Sequence, residues 1–406
     1  MLKASIRGAR LRRSRAFALH SFAELGPDER RAVASFEQEP QLYGVLVRRD
    51  PVPGLSVKLV DHQAARLVQS LAEPAVLPAA DLEASAALAA VAGLVLDGVL
   101  EIESAGRFAA GPAAHPLLFG PSPSAADDQA APGGRLVRLS FDALRYGESL
   151  PLTDAHALAH RLYAYNHVPL HPRWESRFGD EAHAEQALGL GPRAPLTALL
   201  DADYDGQRHG GWLAWHRPDR AVGDPARLSH KLYVSPHPEH MGPALRAALE
   251  GVVELGAPAF KIGAGLRGLL RPDKMVVYLD GRAALERTAA ALAPRLAGLR
   301  AQGVPFSAEL TSDGMLSWGM DPPVDEAMIP WRGTESWRLW VANELARALL
   351  HARHDPGPVA PWRFALDRVR LHGVDTATWA PIGATAAGDD APPPTSTTST
   401  GESTSC

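Results

Sequence analysis

Apolar and polar positions alternate most regularly between Ser229 and Thr311, where the spacing of apolar residues switches between two periods. A period of two predicts a strand, and a period near 3.6 predicts a helix. Strands are predicted over residues 229–235, 258–263, 274–280 and 305–310, and helices over 238–255 and 282–301. This order is that of a ferredoxin-like βαββαβ antiparallel sheet with helices on one face, which gives an α+β fold class.

Side chains of alternate parity point to opposite faces of a strand, so each predicted strand has one apolar face and one more polar face. We call the polar side of the sheet the front face. The residues assigned to it are Lys231, Tyr233, Lys261, Lys274 and Tyr278, with Arg267 and Arg271 at its rim. A cationic concavity with tyrosines suits an anionic group such as phosphate. A solvated face of an antiparallel sheet explains the same alternation without any ligand.

The chain before residue 112 is predicted to form a separate small unit. Strands are expected over 42–48, 54–60 and 98–103, and helices over 61–71 and 83–97. This succession predicts a winged-helix domain. The segments LSVKLVDHQAARLVQSLAEPAVLP and LVLDGVLEIE resemble the PqqD-like domains that hold leader peptides in ribosomal peptide maturation. The resemblance implies that a peptide adds as a strand to an exposed sheet edge. An accessory domain without a ligand is the alternative.

The predicted organisation has four parts: a winged-helix unit (1–111), a Pro- and Ala-rich linker (112–134), an α+β domain (135–383) and a disordered tail (384–406). Within the α+β domain, residues 135–141 are predicted as a strand and 179–226 as irregular chain. A tight loop is expected over 317–323, because Gly and Pro occur together there. A strongly amphipathic helix is predicted over 337–351.

Composition excludes several classes of protein. A net charge of −5 is too weak for a nucleic-acid binder, and no apolar run approaches the roughly 20 residues of a membrane span. Cys406 is the only cysteine, which excludes a disulfide framework and a cysteine-based zinc site. A cytoplasmic protein is the simplest interpretation. The hydroxyl-rich tail ending in Cys406 resembles the core of a lanthionine precursor, although a disordered end is the simpler explanation.

No sequence motif indicates a cofactor or a metal ion. The dinucleotide fingerprint, the P-loop and HExxH are all absent. His156, His160 and Tyr163 share one face of a predicted helix, 155–166, through i, i+4, i+7 spacing. The two histidines could ligate a metal ion, but no third ligand follows at a characteristic spacing. We therefore expect no cofactor and no metal site.

The segments SHKLYVSPHPEHMGPAL, FKIG and RPDKMVVYLD, with the C-terminal amphipathic helix, resemble the Hop-type secreted-effector family over residues 150–354. Standalone relatives are the LanY-type phosphoserine/phosphothreonine lyases of class V lanthipeptide maturation. The resemblance implies a metal-independent lyase that eliminates phosphate from a precursor peptide, with a Ser/Thr kinase and a cyclase as partners. The alternative is a non-catalytic scaffold that binds the leader peptide and presents the precursor to those partners.

Such an elimination requires a base for the α-proton and cations for the phosphate. A lysine acts as a base only when it is neutral, and neighbouring cations lower its pKa. Lys231 and Lys261 are the candidate bases, and either is also explained as a lysine that merely solvates its own face. The other candidates are His156 or His160 as proton donor, Tyr233 as a further catalytic group, and Lys274, Arg267, Arg271 and Tyr278 for phosphate binding.

Overall fold

The computed structural model describes residues 6–37, 39–50, 57–121, 133–218, 230–322 and 336–382. The predicted disordered tail lies outside these ranges, as does Ser229 at the start of the first predicted strand of the sheet. Helices and antiparallel strands both contribute to the fold, so the α+β class is confirmed. Across the described ranges, every helix is too short or too polar to cross a membrane.

The N-terminal region contains two small antiparallel sheets and four helices. Its strands are β1 (Arg10–Arg13), β2 (Phe17–Ser21), β3 (Leu42–Arg48), β4 (Val57–Asp61), β5 (Ala75–Val76), β6 (Leu100–Ser104) and β7 (Arg107–Ala109). Its helices are α1 (Pro27–Val33), α2 (His62–Ser70), α3 (Ser85–Leu96) and α4 (Gly111–Phe119). The sheet orders are β2-β3-β4 and β5-β1-β6-β7. The winged-helix arrangement stays a prediction, and α4 lies inside the segment predicted as a linker.

The middle of the chain is mainly helical. It contains α5 (Arg135–Ser149), α6 (Ala155–Tyr163), α7 (Pro172–Phe178), α8 (Glu181–Leu188), α9 (Pro195–Asp203) and the hairpin of β8 (Asp205–His209) and β9 (Trp212–His216). The predicted strand at 135–141 is wrong, because its apolar residues continue at helical spacing through Leu144 and are buried along one side of α5. The prediction of irregular chain at 179–226 is wrong for α8, α9, β8 and β9.

The last part of the chain completes a seven-stranded antiparallel sheet. Its elements are β10 (His230–Val234), α10 (Met241–Glu254), β11 (Ala259–Gly263), α11 (Gly265–Leu269), β12 (Met275–Leu279), α12 (Arg282–Leu296), β13 (Ala308–Glu309), β14 (Leu316–Met320), α13 (Trp337–His354), α14 (Pro361–Leu371), β15 (Val374–Asp375) and β16 (Ala380–Pro381). The sheet order is β13-β14-β10-β12-β11-β9-β8. Three predicted strands therefore form its centre, and the ferredoxin-like arrangement of the whole sheet stays a prediction.

The fourth predicted strand is replaced by a later segment. Residues 305–310 form only the two-residue β13, and β14 pairs with β10 instead. We predicted a loop at 317–323 because Gly319 lies within it. This glycine is required by packing, since a Cβ there would lie 2.9 Å from Cδ1 of Trp337. Trp337 thus covers the front face at this edge, and the prediction of helices on one face alone is wrong here.

Two apolar cores hold the sheet and the helices together. Behind the sheet, fully buried residues of β10, β11 and β12 pack on α10 and α12; they include Leu232, Phe260 and Val277. A second core joins the N-terminal region to α5, α6, α13 and α14. At its edge Arg368 forms an ion pair of 2.8 Å with Asp97, which links α14 to the end of α3. The helices beside the front face are therefore anchored on the N-terminal region.

Candidate active site

The strand register determines which side chains share the front face. Lys231 pairs with Tyr278, and Lys261 and Tyr233 each pair with Val276. Residues directly opposite each other in an antiparallel ladder point to the same side of the sheet. The register therefore places Lys231, Tyr233, Lys261 and Tyr278 on one face, as the parity of their positions predicts.

Lys261 stands between two aromatic rings near the middle of this face. Its Nζ lies 4.4 Å from the ring centroid of Trp212 and 5.5 Å from that of Tyr278. Burial lowers the pKa of Lys261 to about 8, and the charge of Lys231 acts in the same direction. About a tenth of this amine is therefore neutral at pH 7 and about half at pH 8, and the neutral form is the one that can act as a base.

Lys231 differs from Lys261 in having a carboxylate partner. Its Nζ forms an ion pair with Asp321, just beyond the end of β14, and its side chain is largely buried. The same ammonium lies 5.9 Å from the centroid of Tyr278. Lys231 is therefore held as a charged neighbour of Lys261, and Lys261 is the better candidate for the base.

A cluster of four side chains lies beside the two lysines. Arg271 contacts Asp273 through Nε at 3.0 Å and donates to the Tyr163 hydroxyl at 2.7 Å. That hydroxyl donates to Asp273 at 2.9 Å, and Arg338 forms a 2.8 Å ion pair with the same carboxylate. These contacts fix the Arg271 guanidinium 4.6 Å from the Trp212 centroid. Arg271 and Lys261 thus face the same indole ring.

Asp273 organises this cluster from a buried position. Burial alone would raise its pKa, but the charges of Arg338 and Arg271, with the hydrogen bonds from Arg271 and Tyr163, outweigh burial and lower the pKa. The carboxylate therefore stays ionised. Sequence reasoning did not identify Asp273 or Arg338, and it noted Tyr163 only as a neighbour of two histidines on one helix.

Tyr233 is almost fully buried on the front face, and its hydroxyl has no hydrogen-bond partner within the described part of the chain. Burial raises the pKa of Tyr233, so the phenol stays protonated. A buried hydroxyl without a partner is costly and uncommon in a folded protein. Its donor and its acceptor are therefore unused among the described residues, although the hydroxyl oxygen has almost no exposed surface in this structure.

Lys274 occupies a different place from the one predicted. It is fully buried, and its Nζ donates to Pro236 O at 2.7 Å and to Gln302 Oε1 at 2.5 Å. Burial lowers the pKa of Lys274 to about 7. Because its ammonium is enclosed in protein, it does not reach a ligand on the front face in this structure.

Replacing Lys274 by methionine should therefore lower the free energy of unfolding by about 1–3 kcal/mol, the cost of leaving a buried acceptor without its donor. Methionine keeps most of the volume, so the loss reports the hydrogen bonds. Urea denaturation measures it. The control is Lys58→Met, since Lys58 is a partly exposed lysine in a 3.0 Å ion pair with Asp97. An equal effect of the two substitutions would contradict a structural role specific to Lys274.

The remaining candidates lie at the surface. Arg267 is exposed on α11, and the structure describes no ion pair for it. His156 and His160 are exposed on α6, where the rings contact each other at a centroid distance of 4.4 Å. Tyr163, on the same helix, is the residue that reaches the Asp273 cluster. The structure thus does not bring the two histidines or Arg267 to the lysines.

His167 is a histidine that sequence reasoning missed. It follows α6, and burial with the charge of Arg338 lowers its pKa to about 4. Asp273, Arg271 and Lys274 also contribute to this pKa, which places the ring near the cluster. Groups of three or more His, Cys, Asp or Glu side chains able to hold a metal ion do not occur in the ranges that the structure describes.

Comparison with known proteins gives distant structural likeness only. No family model and no curated protein matches the chain. An effector protein of Pseudomonas syringae pv. syringae strain 61 aligns with a TM-score of 0.37 and 12% identity, over 61% of this chain and 99% of its own. An effector of P. syringae pv. tomato strain DC3000 aligns with a TM-score of 0.36 and 13% identity, over 63% of this chain and 99% of its own. The phosphothreonine lyase OspF of Shigella flexneri aligns with a TM-score of 0.26 and 11% identity, over 41% of this chain and 95% of its own.

These scores and identities are too low to assign an activity, so the function is derived from the residues of this chain. The front face combines an amine of lowered pKa, a fixed guanidinium and an unpartnered phenol. A base beside an anion-binding group can remove a proton that lies close to an anionic substituent of a substrate. These three groups are the ones that an acid–base reaction at a lysine would require.

Proposed function

We propose that the protein is a metal-independent phosphopeptide lyase. It eliminates phosphate from phosphorylated Ser or Thr of a ribosomally made precursor peptide and leaves a dehydroamino acid. The observation that supports this proposal most directly is the placement of Lys261 and Arg271 on one indole ring, both within 4.6 Å of its centroid. The base and the phosphate-binding group are then neighbours, as the elimination requires.

The proposed reaction begins with the neutral amine of Lys261. Its lone pair takes the α-proton of the phosphorylated residue, and the electrons of the C–H bond form the Cα=Cβ double bond. The Cβ–O bond breaks, and its electron pair leaves with the phosphate. Arg271 binds the phosphate oxygens through Nη1, because its Nε and Nη2 already donate to Asp273 and Tyr163.

Two other front-face residues act on the charges that develop. The α-proton is weakly acidic, and the negative charge spreads onto the adjacent carbonyl oxygen as the proton leaves. The ammonium of Lys231 stabilises that oxygen electrostatically. The Tyr233 hydroxyl, protonated and without a partner, donates to the departing oxygen, a task that the exposed His156 and His160 do not perform.

The proposal also identifies the substrate as a precursor peptide that other enzymes modify before and after this step. A Ser/Thr kinase supplies the phosphorylated side chain, and a cyclase consumes the dehydroamino acid. Residues 1–111 hold the leader of the precursor, which brings its core to the front face. A scaffold that only presents the peptide is the competing function, and it requires no neutral lysine.

Incubation of the chain with a phosphothreonine peptide joined to its leader should remove phosphoric acid from the peptide. Mass spectrometry measures the loss, and the reaction should proceed in excess chelator. The unphosphorylated peptide is the control and should keep its mass. Binding of the phosphopeptide without any change of mass would contradict the lyase and favour the scaffold.

A further inference from the structure

Lysine is rare in this chain. Of its 41 basic residues, five are lysines, at positions 3, 58, 231, 261 and 274, and the others are arginines. An arginine binds anions as well as a lysine does, but it stays protonated in proteins and does not act as a nucleophile. Three of the five lysines belong to the central strands of the sheet or adjoin them. Lysines are therefore concentrated at the central strands, in a chain whose basic residues are mostly arginines.

The four lysines that the structure describes have different partners. Lys58 pairs with Asp97 at 3.0 Å, and Lys231 pairs with Asp321. Lys274 is buried with two hydrogen bonds. Lys261 is half-buried, and among the described residues its amine contacts aromatic rings only. Among the four described lysines, Lys261 is thus the one whose amine has no hydrogen bond or ion pair with an oxygen atom of the described residues.

The surroundings of Lys261 define a ligand. Trp212 and Tyr278 lie 4.4 Å and 5.5 Å from its Nζ and offer flat apolar surfaces. Arg271 lies on the same indole, held by Asp273 through Nε at 3.0 Å and Nη2 at 3.1 Å, and offers its remaining nitrogen, Nη1, to an anion. A flat molecule that carries both an electrophilic carbon and an anionic group fits these three features.

We infer that Lys261 forms an imine with an aldehyde that carries a phosphate or carboxylate group. This covalent capture is a second activity of the same side chain and does not require elimination. The Nζ lone pair attacks the carbonyl carbon, and proton transfer to the oxygen gives a carbinolamine. Loss of water, which carries away the aldehyde oxygen and both amine hydrogens, leaves the C=N bond.

The physical state of Lys261 favours this reaction. A lysine is nucleophilic only as the free amine, and burial lowers its pKa to about 8. The two aromatic rings also limit the access of water, which slows hydrolysis of the imine. Arg271 holds the anionic group and so raises the effective concentration of the aldehyde at the amine.

Pyridoxal 5′-phosphate is the probe that tests the inference. The full chain is incubated with it near pH 8, reduced with sodium borohydride and digested, and the labelled lysine is identified by mass spectrometry. Lys261 should carry most of the label, with far less on Lys58, Lys231 and Lys274. Pyridoxal, which lacks the phosphate, should label Lys261 about 10- to 100-fold less, because it loses a charge-assisted hydrogen bond to Arg271.

Matched variants test the amine of Lys261 and the guanidinium of Arg271 separately. Lys261→Arg should abolish the labelled peptide, whereas Lys58→Arg should leave it unchanged. Arg271→Met should remove the preference for the phosphorylated probe, and Arg267→Met should preserve it. Labelling spread over the lysines without preference for Lys261, or equal labelling by both probes, would overturn the inference.

The outcome is independent of the proposed lyase activity. If Lys261 is labelled but the protein does not eliminate phosphate, imine formation is supported and the lyase is excluded. If the protein eliminates phosphate but Lys261 is not labelled, the lyase is supported and imine formation is excluded. Both experiments use the same full-length chain, so each result stands without the other.

Discussion

Replacing Lys261 by methionine should lower kcat/KM for phosphate elimination by about 10²–10⁴-fold, the contribution of a positioned acid–base group. Methionine occupies a similar volume between Trp212 and Tyr278 but has no proton acceptor of comparable strength. The wild-type rate should also rise with pH and level off above about 8, because only the neutral amine removes the α-proton and its pKa is lowered to about 8. Steady-state rates over this pH range measure both effects.

Lys261→Arg is the decisive second variant. It keeps the positive charge and the contacts with the rings, but a guanidinium does not deprotonate at these pH values. It should be as inactive as Lys261→Met. Substantial activity in Lys261→Arg would show that the position supplies charge only. Lys58→Met, far from the front face and paired with Asp97, is the control and should keep the wild-type rate.

The front face was predictable because parity in a strand depends on local geometry alone. Once β10, β11 and β12 were located, the faces of Lys231, Lys261 and Tyr278 followed from the period of two. Parity did not predict the burial of Lys274. This residue directly precedes β12, is fully buried, and its amine donates to Pro236 O and Gln302 Oε1. Strand parity predicts a face but not whether the face is covered.

The hairpin that carries Trp212 had a sequence signal that we did not use. Gly210 and Gly211 stand between two five-residue segments, and both have positive φ values, 54° and 80°. Two adjacent glycines at this spacing are typical of a tight β-hairpin. Using that signal would have extended the sheet to β8 and β9 and placed Trp212 next to Lys261.

The Asp273 cluster had no comparable signal. Its members come from three distant segments, since Tyr163 lies on α6 and Arg338 lies on α13. Only the packing of these helices over the edge of the sheet brings them together. The i, i+4, i+7 spacing placed His156, His160 and Tyr163 on one face of α6. The two histidines are exposed, whereas the Tyr163 hydroxyl reaches Asp273.

Replacing Asp273 by asparagine should lower the free energy of unfolding by about 3–5 kcal/mol, the usual cost of removing one partner from a buried ion pair. Asparagine has nearly the same shape, so the loss comes from charge. Arg338 is completely buried, and its side chain forms an ion pair with Asp273 at 2.8 Å. Without the carboxylate a guanidinium stays buried beside a neutral amide. Urea denaturation at neutral pH measures the difference.

The pH dependence of stability gives an independent check on Asp273. Its pKa in the folded chain is lowered from the ordinary 3.8, so its stabilising effect is complete above that value. That effect is lost as the pH falls from 3.8 through the folded-state pKa, because protonation then favours the unfolded chain. Asp273→Asn should lack this contribution in acid, so the stabilities of the two proteins should converge as the pH falls.

Asp321→Asn is the matched control for this argument. Asp321 also forms an ion pair, with Lys231, but 29% of its side chain is exposed against 6% for Asp273. Lys231 is 12% exposed against 1% for Arg338, so water reaches the lysine more easily once the carboxylate is gone, and the expected loss is smaller, about 1–2 kcal/mol. Equal losses in the two variants would show that burial of Arg338 does not determine the cost. A large loss confined to Asp273→Asn would identify Asp273 as the residue that holds α13 against the sheet and keeps Arg271 beside Lys261.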